Sequence, residues 1–412
     1  MGTPHPGHPC IVGQPVAVVF LGLRCSRESV TIRRSDGAHV VPRPQGNAVS
    51  RRFVYLGCVL AIGCIKPGGG GEDSADTSAP MADATCSAGT GCIVAEELPY
   101  GLLSVQARAD DDIWVVGSSP EPADGSGPAI LHYDNMAWTV LDTSAWAGAE
   151  IWWAWIQEDE AVFVGDQGLI LQMSRPDGEL EQIAGPDEAT TFFGVWGANA
   201  EDVWAVGMTE GGEGPRALWR RQGGTWTAWE DEALGPGENG VTYFKVHGTS
   251  TDDVWMVGTR GTAVHWDGSA LQTVATDADV PTATAPILTV DADPDHPVAV
   301  GGAGNGLILE YDGTAWRDHS PAFQPGLNGV CSGAGQQWAV GQNGSRSQRA
   351  GDGTWTSDMD LGLSPPTFND WHGCDVTPSG TMWSVGGRIA SRPLTQGVIG
   401  VQGETKPAAL PQ

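Results

Sequence analysis

The 412-residue chain is short of positive charge, with 21 Lys and Arg against 50 Asp and Glu and a formal net charge of −29 at pH 7. Its few cations are unevenly placed: residues 1–64 hold seven Arg and only Glu28 and Asp36 as acids, so the remainder is more acidic still. A field of that sign repels phosphate backbones, which argues against nucleic acid as a partner. No run of 18 or more apolar residues is present, which argues against a bilayer-spanning helix. Chemical signatures are missing as well. The six His beyond residue 64 form no His-x-x-x-His pair, and there is no Cys-x-x-Cys, Gly-x-Ser-x-Gly or P-loop. Neither a cofactor, a metal nor a catalytic residue is therefore expected.

What is abundant is Gly (59), Pro (28) and Trp (18), and the Gly and Trp fall in a pattern. From residue 101 a unit recurs: an apolar strand, a polar turn, a second strand ending in Val-Gly, a third strand, then a turn leading to Trp. Residues 193–207 and 244–258 match almost position for position, including Asp-Val-Trp-x-Val-Gly. The glycines closing the second strand are Gly117, Gly165, Gly207, Gly258, Gly301, Gly341 and Gly386, spaced by 48, 42, 51, 43, 40 and 45 residues. Four short strands at that period predict an all-β fold, a seven-bladed β-propeller of four-stranded antiparallel blades. The segment from Cys92 to Leu98 is available as a last outer strand, since circular closure removes open edges. Trp114, Trp204, Trp255, Trp338 and Trp383 fall on the second strand and Trp138, Trp226, Trp316 and Trp355 open the fourth, so they are expected in the core. The acidic turns at Asp110-Asp111-Asp112, Glu201-Asp202 and Asp252-Asp253 occur once per unit, which suits turn bonding rather than a converging calcium shell.

Ahead of the repeats, Arg51-Arg52, the apolar run Phe53–Ile62 and Gly63-Cys64 have the order of a secretion signal. Ala61-Ile62-Gly63-Cys64 resembles the bacterial lipobox, although Leu is usual where Ala61 stands. The resemblance implies lipidation of Cys64. A Gly-rich, acidic stretch follows, of the composition that forms tethers. The expected organisation is an overcalled start or extension at 1–48, a signal peptide at 49–63, a flexible tether at 64–91, the propeller at 92–403 and a tail at 404–412. In an oxidising compartment the remaining cysteines allow three connectivities, of which Cys86–Cys92 and Cys331–Cys374 are expected, the latter between strands of neighbouring blades.

The recurrent Val-Trp-Gly-x-x-x-x-Asp-Val-Trp-x-Val-Gly pattern behind a lipobox resembles the Trp-rich propeller lipoproteins of myxobacteria and related bacteria, over residues 51 to about 403. The resemblance implies a lipid-anchored protein of the bacterial cell envelope, at the outer membrane or cell surface, and offers no functional residues. Function is expected to be non-catalytic: a binding scaffold for a protein or glycan ligand. Two alternatives are a sialidase-like carbohydrate-active hydrolase and a structural envelope component. The Asp-Gly-Thr hairpins before Trp316 and Trp355 resemble the Asp-box of sialidases but lack its leading residues, and no matching Arg set is present. Trp146, Trp152, Trp155 and Trp229 exceed what the repeat demands, stand beside loops of variable length, and are the candidate ligand contacts.

Overall fold

The computed structural model describes residues 85–86, 91–120, 125–134, 137–176, 178–186, 188–209, 217–229, 241–277, 280, 285–359, 369–403 and 410. The proposed signal, Cys64, most of the tether and most of the loops 208–216 and 230–240 lie outside the described residues. Seven sheets form a propeller. Blade 1 has strands a to d at Leu102–Ala109, Asp112–Gly117, Ile130–Tyr133 and Trp138–Val140. Blade 4 repeats this at Tyr243–Ser250, Asp253–Gly258, Ala263–Trp266 and Leu271–Thr273. The inner strands of the other blades are Ile151–Ile156, Thr190–Asn199, Ile287–Asp291, Leu327–Gly333 and Asp370–Val376.

Blade 7 closes the ring. Its outer strand is Gly91–Leu98, from the amino-terminal side, paired antiparallel with Thr395–Gln402 and edged by Thr85–Cys86. Leu410 returns to the same strand, its N–H donating to the Val94 carbonyl, and buries its side chain there. Closure by a strand from the far end of the chain completes blade 7 and covers the outer edge of Thr395–Gln402.

One contact explains the seven marker glycines. Each closes strand b against the residue that precedes strand a or opens it. A β-carbon at Gly207 would lie 1.9 Å from the Thr191 carbonyl oxygen, at Gly386 1.9 Å from that of Asp370, and at Gly117 2.2 Å from that of Gly101. The same clash, at 2.0–2.1 Å, stands at Gly165, Gly258, Gly301 and Gly341. No side chain fits there, whatever the backbone angles. Directly opposite, strand a of every blade carries one extra residue, a β-bulge at Leu103, Trp152, Phe193, Phe244, Leu288, Asn328 or His372. Bulges bend a strand and re-aim a side chain, and here all seven do so at one end of the innermost strands.

Three residues beyond the bulge in blades 2 to 7, a side chain reaches the next blade. Where it is Trp, the neighbour is Gly: Trp155 covers Gly197 and Trp196 covers Gly248, leaving under 3 Å to a β-carbon. Where it is His or Asp, it accepts a backbone N–H: Ala292 donates to His247 Nδ1 at 2.9 Å, Ala107 to Asp375 Oδ2 at 2.7 Å, and Ser332 to Asp291. In blade 6 the residue is Cys331, bonded to Cys374 of blade 7 with Cα atoms 5.7 Å apart. Cys86 and Cys92 form a second disulfide in the closing hairpin.

The strand-b Trp residues are core, except that Trp338 is only partly buried, and the acidic turns do more than turn bonding. Asp112, Asp202 and Asp253 open strand b and bind the third residue of strand c. Arg220 grips both oxygens of Asp202 at 2.7 Å, while His132 and His265 meet Asp112 and Asp253 at 2.9 and 2.6 Å. The same His or Arg stacks on the Trp directly across the ladder, His132 on Trp114, His265 on Trp255 and Arg220 over Trp204, at 4.0–4.3 Å between centres. Strand c supplies a planar cationic or imidazole partner that a turn-only reading of the acids leaves out. Turn bonding remains in a-to-b turns at Asn199, Asp252 and Asp293, and recurs in the c-to-d hairpins, where Asp267, Asp312 and Asp352 each accept from a Ser or Thr two residues on.

Replacing Gly207 with Ala forces the β-carbon into the Thr191 carbonyl. We expect G207A to destabilise the ring by at least about 2 kcal/mol, read as a lowered denaturation midpoint, whereas G224A at an open hairpin turn should cost about 1 kcal/mol through its positive φ alone.

Candidate functional site

Because strands a and b are antiparallel, the bulged end of strand a lies on the face that carries the b-to-c and d-to-a loops. Seven bulged side chains therefore ring the axis at that mouth. Their contacts show how close they come. Trp152 meets Phe193 edge-on at 5.0 Å between ring centroids, Phe193 meets Phe244 at 5.7 Å, and Trp152 reaches His372 of blade 7 at 6.1 Å, passing over blade 1. Leu103 of blade 1 is accordingly fully buried, while the other six bulged residues keep part of their surface in solvent. The result is an aromatic collar at the axial mouth.

Behind the collar lies Lys245. It follows the bulge of blade 4 and reaches back past blade 3, donating to the Phe193 carbonyl at 2.8 Å and resting 4.0 Å from the centroid of the Trp153 ring in blade 2. Only 4% of the residue is exposed. Loss of hydration pulls the ammonium down from 10.5 to about 7, with no carboxylate among the causes. That fall corresponds to about 5 kcal/mol against the charged form, more than the roughly 0.5–2 kcal/mol that a cation–π contact returns. His372 is held to about 3, first by burial and then by the Lys245 charge, and its Nδ1 donates to the Leu103 carbonyl. The indole Nε1 of Trp152 is buried without a hydrogen-bond partner.

Beside the mouth, Glu150 enters strand a of blade 2 at 6% exposure. Arg392, from the b-to-c loop of blade 7, crosses over blade 1 to grip it at 2.6 Å and approaches Asp166 at 3.8 Å. Burial nevertheless raises the Glu150 carboxyl from 4.5 to about 7, with Asp166 adding to the shift and Arg392 opposing it. These two acids are thus tied into an inter-blade clasp.

The four candidate Trp residues are distributed differently from one another. Trp152 is in the collar. Trp155 is 3% exposed in the seam between blades 2 and 3. Trp229 packs on Trp204 and Trp266, at 5.1 and 5.3 Å, in the seam between blades 3 and 4. Trp146 lies half-buried against the seam of blades 1 and 2, its Nε1 donating to Gln182 at 3.0 Å. Among the loops, 321–326 presents Phe323 rather than Trp: it is 99% exposed at φ 68°, a region bulky residues avoid. Gln324 beside it is buried, accepting from Ser347 Oγ at 2.8 Å, so the loop is pinned and Phe323 is held outward.

No family model matches the chain, and no curated protein matches it. Solved structures do. YCF48 bound to D1 peptide is similar at 14% identity and TM-score 0.54, over 78% of this chain and 99% of that one. The extracellular domain of a putative one-component system of B. thetaiotaomicron matches at 12% identity and TM-score 0.55, over 77% of this chain but 39% of that one. The RRP9 WD40 repeats match at 10% and 0.56, over 78% and 99%. The likeness is one of fold.

Lys245 and Phe323 were missed by sequence reasoning, although a signal for Lys245 was there. The chain has three Lys, Lys66, Lys245 and Lys406, so between residues 91 and 402 every other cationic side chain is Arg or His.

Glu150 supplies a pH test. Its carboxyl holds a proton in the folded chain up to about pH 7 but only to about 4.5 when unfolded, so folding takes up a proton between those values and stability falls as pH rises through them. E150Q should flatten that slope in denaturation midpoints measured from pH 4 to 8, with the wild type losing ground to the variant as pH rises.

Proposed function

We propose that the chain is a lipid-anchored β-propeller of the bacterial cell envelope that works as a binding scaffold, taking a segment of a protein partner at the axial mouth. The observation that carries this reading is the collar. Trp152, Phe193 and Phe244 converge from three blades with part of each ring still in solvent, and partly exposed aromatic clusters supply large contact area at small entropic cost. A protein segment is favoured over a glycan because the rings meet one another at 58° and 83°, offering edges rather than the open flat face on which a pyranose stacks. The neighbours support the same reading: YCF48 is seen with a peptide, and another is an extracellular domain.

Anchoring is supported by the order of Arg51-Arg52, the apolar run and Gly63-Cys64, together with the resemblance to Trp-rich propeller lipoproteins. Two or more acyl chains hold a protein on a bilayer stably. Cys64→Ser should therefore move the chain from the membrane fraction to the soluble one in cells that process lipoproteins; an unchanged membrane fraction overturns the anchor.

For the scaffold, a photo-reactive phenylalanine placed at position 244 should crosslink a discrete protein in the native host, and one at Val140, 62% exposed on an outer strand, should not. Capture from position 140 alone would place binding elsewhere.

A further inference from the structure

The collar is apolar outside and donor-rich within, and this combination has a ligand chemistry. Lys245 is the sole Lys between residues 91 and 402. Arg serves the charge-paired positions instead: Arg220 with Asp202, Arg221 with Glu160, Arg349 with Glu310 and Arg392 with Glu150. Each of those Arg meets a carboxylate within 2.9 Å, whereas Lys245 meets a backbone carbonyl and a ring. Its three N–H groups have one described acceptor, Phe193 O, and the Trp152 indole N–H in the collar has none. Leaving such donors unmatched in a buried position is unfavourable. An incoming acceptor of negative charge would match the free N–H groups of Lys245, the one Lys among the described residues.

We propose that the axial mouth is a carboxylate site, in which Lys245 and the Trp152 indole N–H receive the carboxylate of a peptide while Phe193, Phe244 and Leu288 hold its apolar flank. This rests on the scaffold reading above and adds the ligand class to it. A compact, mobile ammonium suits a single carboxylate arriving along the axis, where the planar fork of Arg would demand a fixed bidentate approach. The half-exposed rings supply the low-dielectric surround in which a charge-assisted hydrogen bond is strong.

The lysine count makes the test direct. Full-length protein labelled with 13C at the lysine ε position gives signals from Lys66, Lys245 and Lys406 alone. N-acetyl-leucinate, a mimic of a peptide terminus, should move the Lys245 signal saturably with a millimolar midpoint and raise the pH at which it titrates, leaving Lys66 and Lys406 in place. N-acetyl-leucinamide should not move it. N-acetylglutamic acid α-amide, which carries a side-chain carboxylate in place of a terminal one, should also move the Lys245 signal. Trp152→Phe, which keeps a ring and removes the donor, should weaken the N-acetyl-leucinate response by about three- to tenfold. An immobile Lys245 signal, an equal response to the amide, or parallel shifts at all three lysines would overturn the site. A response to glucuronate as strong as that to N-acetyl-leucinate would overturn the peptide assignment. Failure here with crosslinking at position 244 intact removes the carboxylate and leaves the scaffold standing.

Discussion

The ring depends on one close approach, repeated once per blade, between a carbonyl at the entry to strand a and the glycine that ends strand b. Any side chain at the glycine would occupy the space of that carbonyl. With the two backbones this near, the inner strand accommodates one residue too many and bulges, and the bulge turns its side chain toward the axis. The Val-Gly signature and the collar are therefore two ends of one arrangement: the glycine permits the approach, and the bulge converts it into a set of side chains at the mouth. Ring stability and the geometry of the collar share a cause, one point of close approach per blade.

Between blades, the fold tolerates several chemistries in one slot. Trp over Gly, His or Asp on a backbone N–H, and a disulfide all occupy the position three residues past the bulge. Each fills the same gap, by volume in the first case and by hydrogen bonding or a covalent link in the others. A large side chain requires Gly opposite because interiors are close-packed; a polar one needs only a donor within reach.

The architecture was legible because it is written in backbone terms. Glycine spacing, period-two alternation and Asp-Gly hairpins report where the chain turns and where it comes close, and they place the blades and the outer strand at Cys92 to Leu98. The site was less legible. Dense Trp such as Trp152-Trp153-Ala154-Trp155 does not reveal which indole the bulge turns inward, since one extra residue changes which face each side chain takes. Trp155 thus enters a seam while Trp152 enters the collar. The pairing of Asp112, Asp202 and Asp253 with strand c also depends on ladder register, which the local turn sequence does not contain. Lys245 differs: its rarity was visible, but its surroundings arise from blades 2 and 3, about 50 to 90 residues earlier in the chain.

Closure by Gly91–Leu98 also orders events in time. This strand is synthesised before any blade, yet its partner, Thr395–Gln402, comes some 300 residues later. Contacts between such distant segments form late, because the loop they close is long and must be organised first. Blades 1 to 6 are each built from consecutive strands and need no such wait. The ring therefore shuts after its parts are made, and until then the edge of Thr395–Gln402 stands open to any strand that reaches it first.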